Sequence, residues 1–104
     1  LNIIETVMHH AKNRDLITTN HFLEMLELRQ NGIVPDFDGI CVLMATQGPV
    51  KIEEQTDGKF KLFYSIDDKY DLIIVIVCII ASPSKVRLIT VHQQESKRRS
   101  GENG

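Results

Sequence analysis

The stretch from Leu72 to Ala81 constrains this chain more than any other: ten apolar residues without a charge, seven of them Ile or Val. It has about half the ~20 residues needed to cross a bilayer as a helix. Side chains branched at Cβ also lose rotamer freedom against the preceding turn of a helix, whereas they pack well on a pleated strand. The run therefore reads as a central strand buried on both faces. Its flanks carry turn residues, Asp67-Asp68-Lys69 before it and Ser82-Pro83-Ser84 after it. Upstream, Val50 to Gln55 and Lys59 to Ile66 form a hairpin around Thr56-Asp57-Gly58, because Asp-Gly supplies the positive φ of a tight turn. Phe60, Leu62 and Tyr64 then share one face, with Lys59, Lys61 and Phe63 on the other. Downstream, Lys85 to His92 alternates Val86, Leu88 and Thr90 against Arg87, Ile89 and Val91 as a last strand.

Before Gly48-Pro49 the period is helical. Ile3, Ile4, Val7, Met8 and Ala11 recur at three- and four-residue spacing within Asn2 to Asp15. Thr18, Thr19 or Asn20 can cap a second helix carrying Phe22, Leu23, Leu26 and Leu28, which Asn31-Gly32 stops. Asp36 or Asp38 can cap a third, placing negative charge at the positive end of the helix dipole. The short apolar run within Ile40 to Thr46 fits helix or strand by periodicity alone, and the preceding cap favours a short helix. The expected class is α+β, with N-terminal helices packed on one face of a four-stranded antiparallel meander. Residues 1–93 form one domain in this reading, and 94–104 a disordered basic and polar tail.

Composition narrows the function by exclusion. The net charge of −2 argues against coating nucleic acid by bulk electrostatics. The charge is uneven, however: residues 1–84 carry 7 basic and 12 acidic side chains, and residues 85–104 carry 5 and 2. Cys41 and Cys78 each sit in an apolar run, as buried thiols do, and neither spacing suits a metal knuckle. The N-terminus has no signal-peptide pattern and no apolar run is long enough to span a membrane, so the expected setting is cytoplasmic, without a membrane partner. There is no Gly-rich phosphate loop, Cys-x-x-Cys, Ser elbow or zinc motif, so no cofactor is expected. His9 and His10 point about 100° apart on a helix and do not make an i, i+4 metal pair. Glu53-Glu54 and Asp67-Asp68 read as solvated surface.

One pattern resembles a known family. Thr19-Asn20-His21, Arg29, Gly32-Ile33, Gly48, the strand Val50-Lys51-Ile52-Glu53-Glu54 and the ending Leu88-Ile89-Thr90-Val91-His92 resemble the small RelE-like domains related to toxin ribonucleases of toxin–antitoxin systems. The resemblance covers about residues 17 to 92. It departs from the family at Met25, where an Arg is usual, in an extra residue between Arg29 and Gly32, and at His92, where an aromatic often closes the last strand. A second register, His10-Ala11-Lys12-Asn13-Arg14, repeats part of the family's spelling but lacks the Arg-Gly-Ile that follows it.

The resemblance implies metal-independent transesterification, in which an RNA 2′-hydroxyl attacks the neighbouring phosphate. That chemistry needs a proton acceptor, a donor for the leaving oxygen and cations for the developing charge. His92, Arg87 and Lys85 on the last strand are candidates. His21 and Arg29 join them, lying within about 80° of each other around the second helix. Each has a plainer role open to it: His21 lies in a capping region, and Arg29 suits the negative end of the helix dipole. Three functions remain: a toxin-like ribonuclease with RNA and an antitoxin as partners, a non-catalytic protein-binding or self-associating module that forms a homodimer, and an RNA binder without catalysis.

Overall fold

The computed structural model describes residues 2–30 and 32–101. Helix α1 (Ile3–Lys12) is capped by Asn2, whose side chain accepts from the Glu5 N–H. A two-residue strand, β1 (Ile17–Thr18), leads into α2 (Asn20–Leu28), capped by Thr19. Asp36 caps α3 (Phe37–Thr46) by accepting from the Gly39 N–H, so the ambiguous apolar run is a helix. Strands β2 (Lys51–Glu54), β3 (Lys59–Ser65), β4 (Tyr70–Ile79) and β5 (Lys85–Glu95) follow, then a short helix α4 (Ser96–Gly101). Asp57 and Gly58, both at positive φ, turn β2 into β3. Gly32, φ +88, follows α2; Asn31, expected to help stop that helix, lies outside the described residues.

The sheet has five strands in the order β1-β5-β4-β3-β2. This corrects the expected four-stranded antiparallel meander: β1 pairs parallel to β5, Ile17 with Arg87 and Thr18 with Leu88. Two residues are too few to show a strand period in a sequence, and this pairing is set by where α1 and α2 seat the chain between them. Much of the segment expected to be a tail is in regular structure. Gln94 and Glu95 belong to β5 and α4 follows, while Asn103 and Gly104 lie outside the described residues.

β4 is central, as its composition demands, with Asp71 to Ile76 all buried. One face of the sheet carries Leu62, Tyr64, Leu72, Ile74, Ile76, Cys78, Val86, Leu88 and Val91. These pack with Val7, Ala11, Phe22, Leu26, Ile40 and Met44 of α1, α2 and α3 in a single core. Cys41 and Cys78 are buried free thiols. The opposite face receives Lys51, Phe63, Ile73 and His92 in one cross-strand row and Lys61, Val75 and Thr90 in the next.

β5 departs from simple alternation. Val75 pairs with Thr90 but Ile76 pairs with Leu88, so Ile89 is an extra residue that bulges the strand. A bulge shifts the two-residue phase of everything beyond it. Thr90 therefore lies on the face of Arg87 rather than with Val86 and Leu88, and Val91 turns into the core, both contrary to the strict alternation expected.

Candidate active site on the open sheet face

The bulge decides where His92 stands. In unbroken alternation His92 would share the helix-covered face with Val86 and Leu88; the extra residue moves it to the open face, where Arg87 already points. Thr19 holds this irregular stretch. Its hydroxyl lies 3.0 Å from the Leu88 carbonyl oxygen and 3.5 Å from that of Ile89, while it also accepts from the Phe22 N–H at 3.0 Å. One side chain thus caps α2 and ties it to the bulge.

Beyond the bulge β1 has ended, and the outer edge of β5 needs another partner for its polar groups. Arg29, at the C-terminal cap of α2, supplies one: its Nε–H donates to the Val91 carbonyl at 3.0 Å. That bond brings a guanidinium beside the next residue, His92. From the other side comes Lys61 of β3, one cross-strand row away. Lys61 and Lys51 place their ammonium groups 5.5 and 5.2 Å from the centroid of the buried Phe63 ring, so their stems and charges cover the apolar middle of this face.

His92 is half-buried, and its pKa lies below the ordinary imidazole value. Burial, which disfavours the charged ring, is the main cause, and the positive charges of Lys61 and Arg29 add to it. A neutral imidazole at pH 7 between two cations combines a proton acceptor with charges that attract an anion.

The other sequence candidates lie apart. Arg87 and Lys85 share the open face with His92, but Arg87 pairs with Val77 and His92 with Ile73, four residues apart on β4 and so about 13 Å at ~3.3 Å per residue. His21 is exposed near the start of α2, about 12 Å along the helix axis from Arg29. The structure thus brings His92 and Arg29 together, adds Lys61, and leaves Arg87, Lys85 and His21 at the periphery. Sequence reasoning had put Lys61 on the face opposite Leu62 but not in the site. The signal was the alternation of Lys59 and Lys61 with apolar residues in the hairpin. Among the described residues no group of three His, Cys, Asp or Glu side chains converges as metal ligands would.

The open face as a whole is cationic. Register places Lys51, Lys59, Lys61, Lys85 and Arg87 on it, against Glu53 and Asp71. Glu53 is paired with Lys51 at 3.1 Å, and Asp71 is buried against the Ser96 hydroxyl. The net charge of −2 conceals this separation.

Comparison with known proteins finds a match to one family model, over residues 2–76. The chain belongs to the MJ0788 family. The match runs from α1 through most of β4, so Arg29 and Lys61 lie within the MJ0788-family region and His92 lies beyond it. No curated protein and no solved structure matches the chain. No helix among the described residues is long and apolar enough to cross a membrane.

Proposed function

We propose that this MJ0788-family domain is a metal-independent, RelE-like endoribonuclease acting on the open face of its sheet. His92 takes the proton of the attacking 2′-hydroxyl as the hydroxyl oxygen bonds to phosphorus. The bond from phosphorus to the 5′-oxygen breaks to leave a 2′,3′-cyclic phosphate, the departing oxygen takes up a proton from solvent, and Lys61 and Arg29 face the phosphate as charge develops on it. Arg87 and Lys85 lie farther along the same face, where they hold the flanking RNA backbone. The observation that carries this reading is the half-buried His92 with its pKa lowered beside Lys61 and Arg29. His21, remote from this cluster, has no part in the proton transfer.

A second reading is a non-catalytic protein-binding or self-associating module of the same fold. It is favoured by exposed apolar side chains on α2 and β1, of which Leu28 is 75% exposed and Leu23 45%. An antitoxin-like protein or a second copy would cover them.

Cleavage of a labelled mixed-sequence RNA in EDTA separates the two. The ribonuclease reading expects cleavage that falls about 100-fold or more in His92→Ala and less in Arg87→Ala. Absence of cleavage across a range of RNAs by folded protein overturns it, and sedimentation then tests self-association.

A further inference from the structure

A second histidine has its own set of partners at the opposite end of β5. His10, in the last turn of α1, is 6% exposed. Its Nδ1 lies 3.1 Å from the Asp15 carbonyl oxygen and 3.1 Å from Asp15 Oδ2, and its Nε2 lies 2.8 Å from Ser84 Oγ. Both neighbours of Nδ1 are acceptors, so Nδ1 carries the ring proton. In the neutral ring Nε2 is then the acceptor, and the Ser84 hydroxyl donates to it. That is the tautomer a general base needs.

Backbone geometry holds Asp15 in place. Arg14 takes a left-handed conformation (φ 55), its N–H donating to the Ala11 carbonyl and the next N–H, of Asp15, donating to the His10 carbonyl at 2.7 Å. These two bonds are the usual closure of a helix C-terminus, in which glycine normally occupies the left-handed position. An arginine there carries backbone strain that a glycine would not. The consequence of this closure is that Asp15 folds back onto the His10 ring with both its carbonyl and its carboxylate. Ser84 stands on the other side, just before β5, partly exposed above the shielded ring.

We propose that Ser84 is an activated nucleophile, with His10 as its general base and Asp15 as the positioning residue, competent for acyl transfer from small activated esters. Ser84 Oγ bonds to the ester carbonyl carbon as its proton passes to His10 Nε2. The carbon–oxygen bond to the alcohol then breaks, and the departing oxygen takes that proton from Nε2. Water repeats the sequence on the acylated serine: its proton goes to Nε2, its oxygen bonds to the carbonyl carbon, and the acid leaves as Oγ recovers the proton. This site stands independently of His92 and of the ribonuclease reading.

The test is covalent labelling of the full chain with a fluorophosphonate probe, whose fluoride is displaced by a serine alkoxide, followed by intact mass and peptide mapping. A single adduct at Ser84 is expected, absent in Ser84→Ala. Labelling should be about 100-fold slower in His10→Gln, and slowed less than that in Asp15→Asn, where the Asp15 backbone carbonyl still fixes the tautomer. Thermal melting accompanies each variant, so a change in labelling at an unchanged midpoint reports chemistry rather than folding. No adduct, an adduct at another serine, or an unchanged rate in a folded His10→Gln overturns the proposal. The mapping on wild-type protein decides even if His10→Gln does not fold.

Discussion

The two faces of this sheet are built from alternate residues of the same strands, yet they are covered in different ways. Under the helices, Leu72, Ile74 and Ile76 meet the side chains of α1, α2 and α3 in a continuous core. On the other face Phe63 and Ile73 are just as completely buried, each at 0% exposure, but their cover includes the Lys51 and Lys61 side chains and the half-buried His92. Equal burial therefore does not mean the same kind of cover. A helix-covered face excludes water through packed secondary structure, whereas long flexible side chains shield apolar groups and still present charge outward. The first arrangement suits a core, and the second a surface that meets a charged ligand.

The strongest test of this contrast is a pair of truncations at neighbouring positions. Ile74→Ala should cost about 4 kcal/mol in urea unfolding and Ile73→Ala about 2, since lysine stems can collapse into the vacated space and packed helices cannot. Equal losses would mean the open face is packed as firmly as the core. Next in size, Lys61→Met should lower RNA cleavage about 100-fold while moving stability by no more than about 0.5 kcal/mol. A stability loss without an effect on cleavage would make Lys61 part of the packing only. Thr19→Ala should then cost about 1 kcal/mol through the lost α2 cap. It should also reduce cleavage, because the same hydroxyl holds the bulge that sets the phase of His92.

The smallest effect is a pH dependence. The pKa of His92 lies below the ordinary imidazole value of 6.5, so around and just below that pH the unfolded chain binds more protons than the folded one. The stability from this group is complete above pH 6.5 and is lost as pH falls through the lower folded value. His92→Gln should flatten that part of the stability profile, as read by denaturation midpoints at stepped pH. An unchanged profile would mean that His92 is neither shielded from water nor beside the two cations.

Much of the fold was legible because local chemistry agreed with it. The Ile and Val run reads as a central strand, Asp57-Gly58 marks the β2–β3 hairpin through positive φ, and the capping residues at Thr18 to Asn20 and at Asp36 or Asp38 mark two helix starts, where Thr19 and Asp36 satisfy the N–H groups. The site was legible only in part. His92 and Arg29 were among the sequence candidates and the fold brings them together, but Lys61 comes from a strand two positions away in the sheet, and no spacing along the chain announces that proximity. Arg87, Lys85 and His21 were reasonable choices by residue type, and distance along β5 and α2 separates them from the cluster.

Apolar period, caps and turn residues, all properties of a few consecutive side chains, determined by themselves the three helices before Gly48 and the hairpin-rich sheet after it, though not α4. Tertiary structure alone decided that β1 docks parallel to β5, that Ile89 bulges, and that His92 consequently faces the lysines instead of the core. The physical reason is that a one-residue bulge reverses the facing of every residue after it, and its position is set by bonds from Thr19 and β1, some 70 residues earlier in the chain.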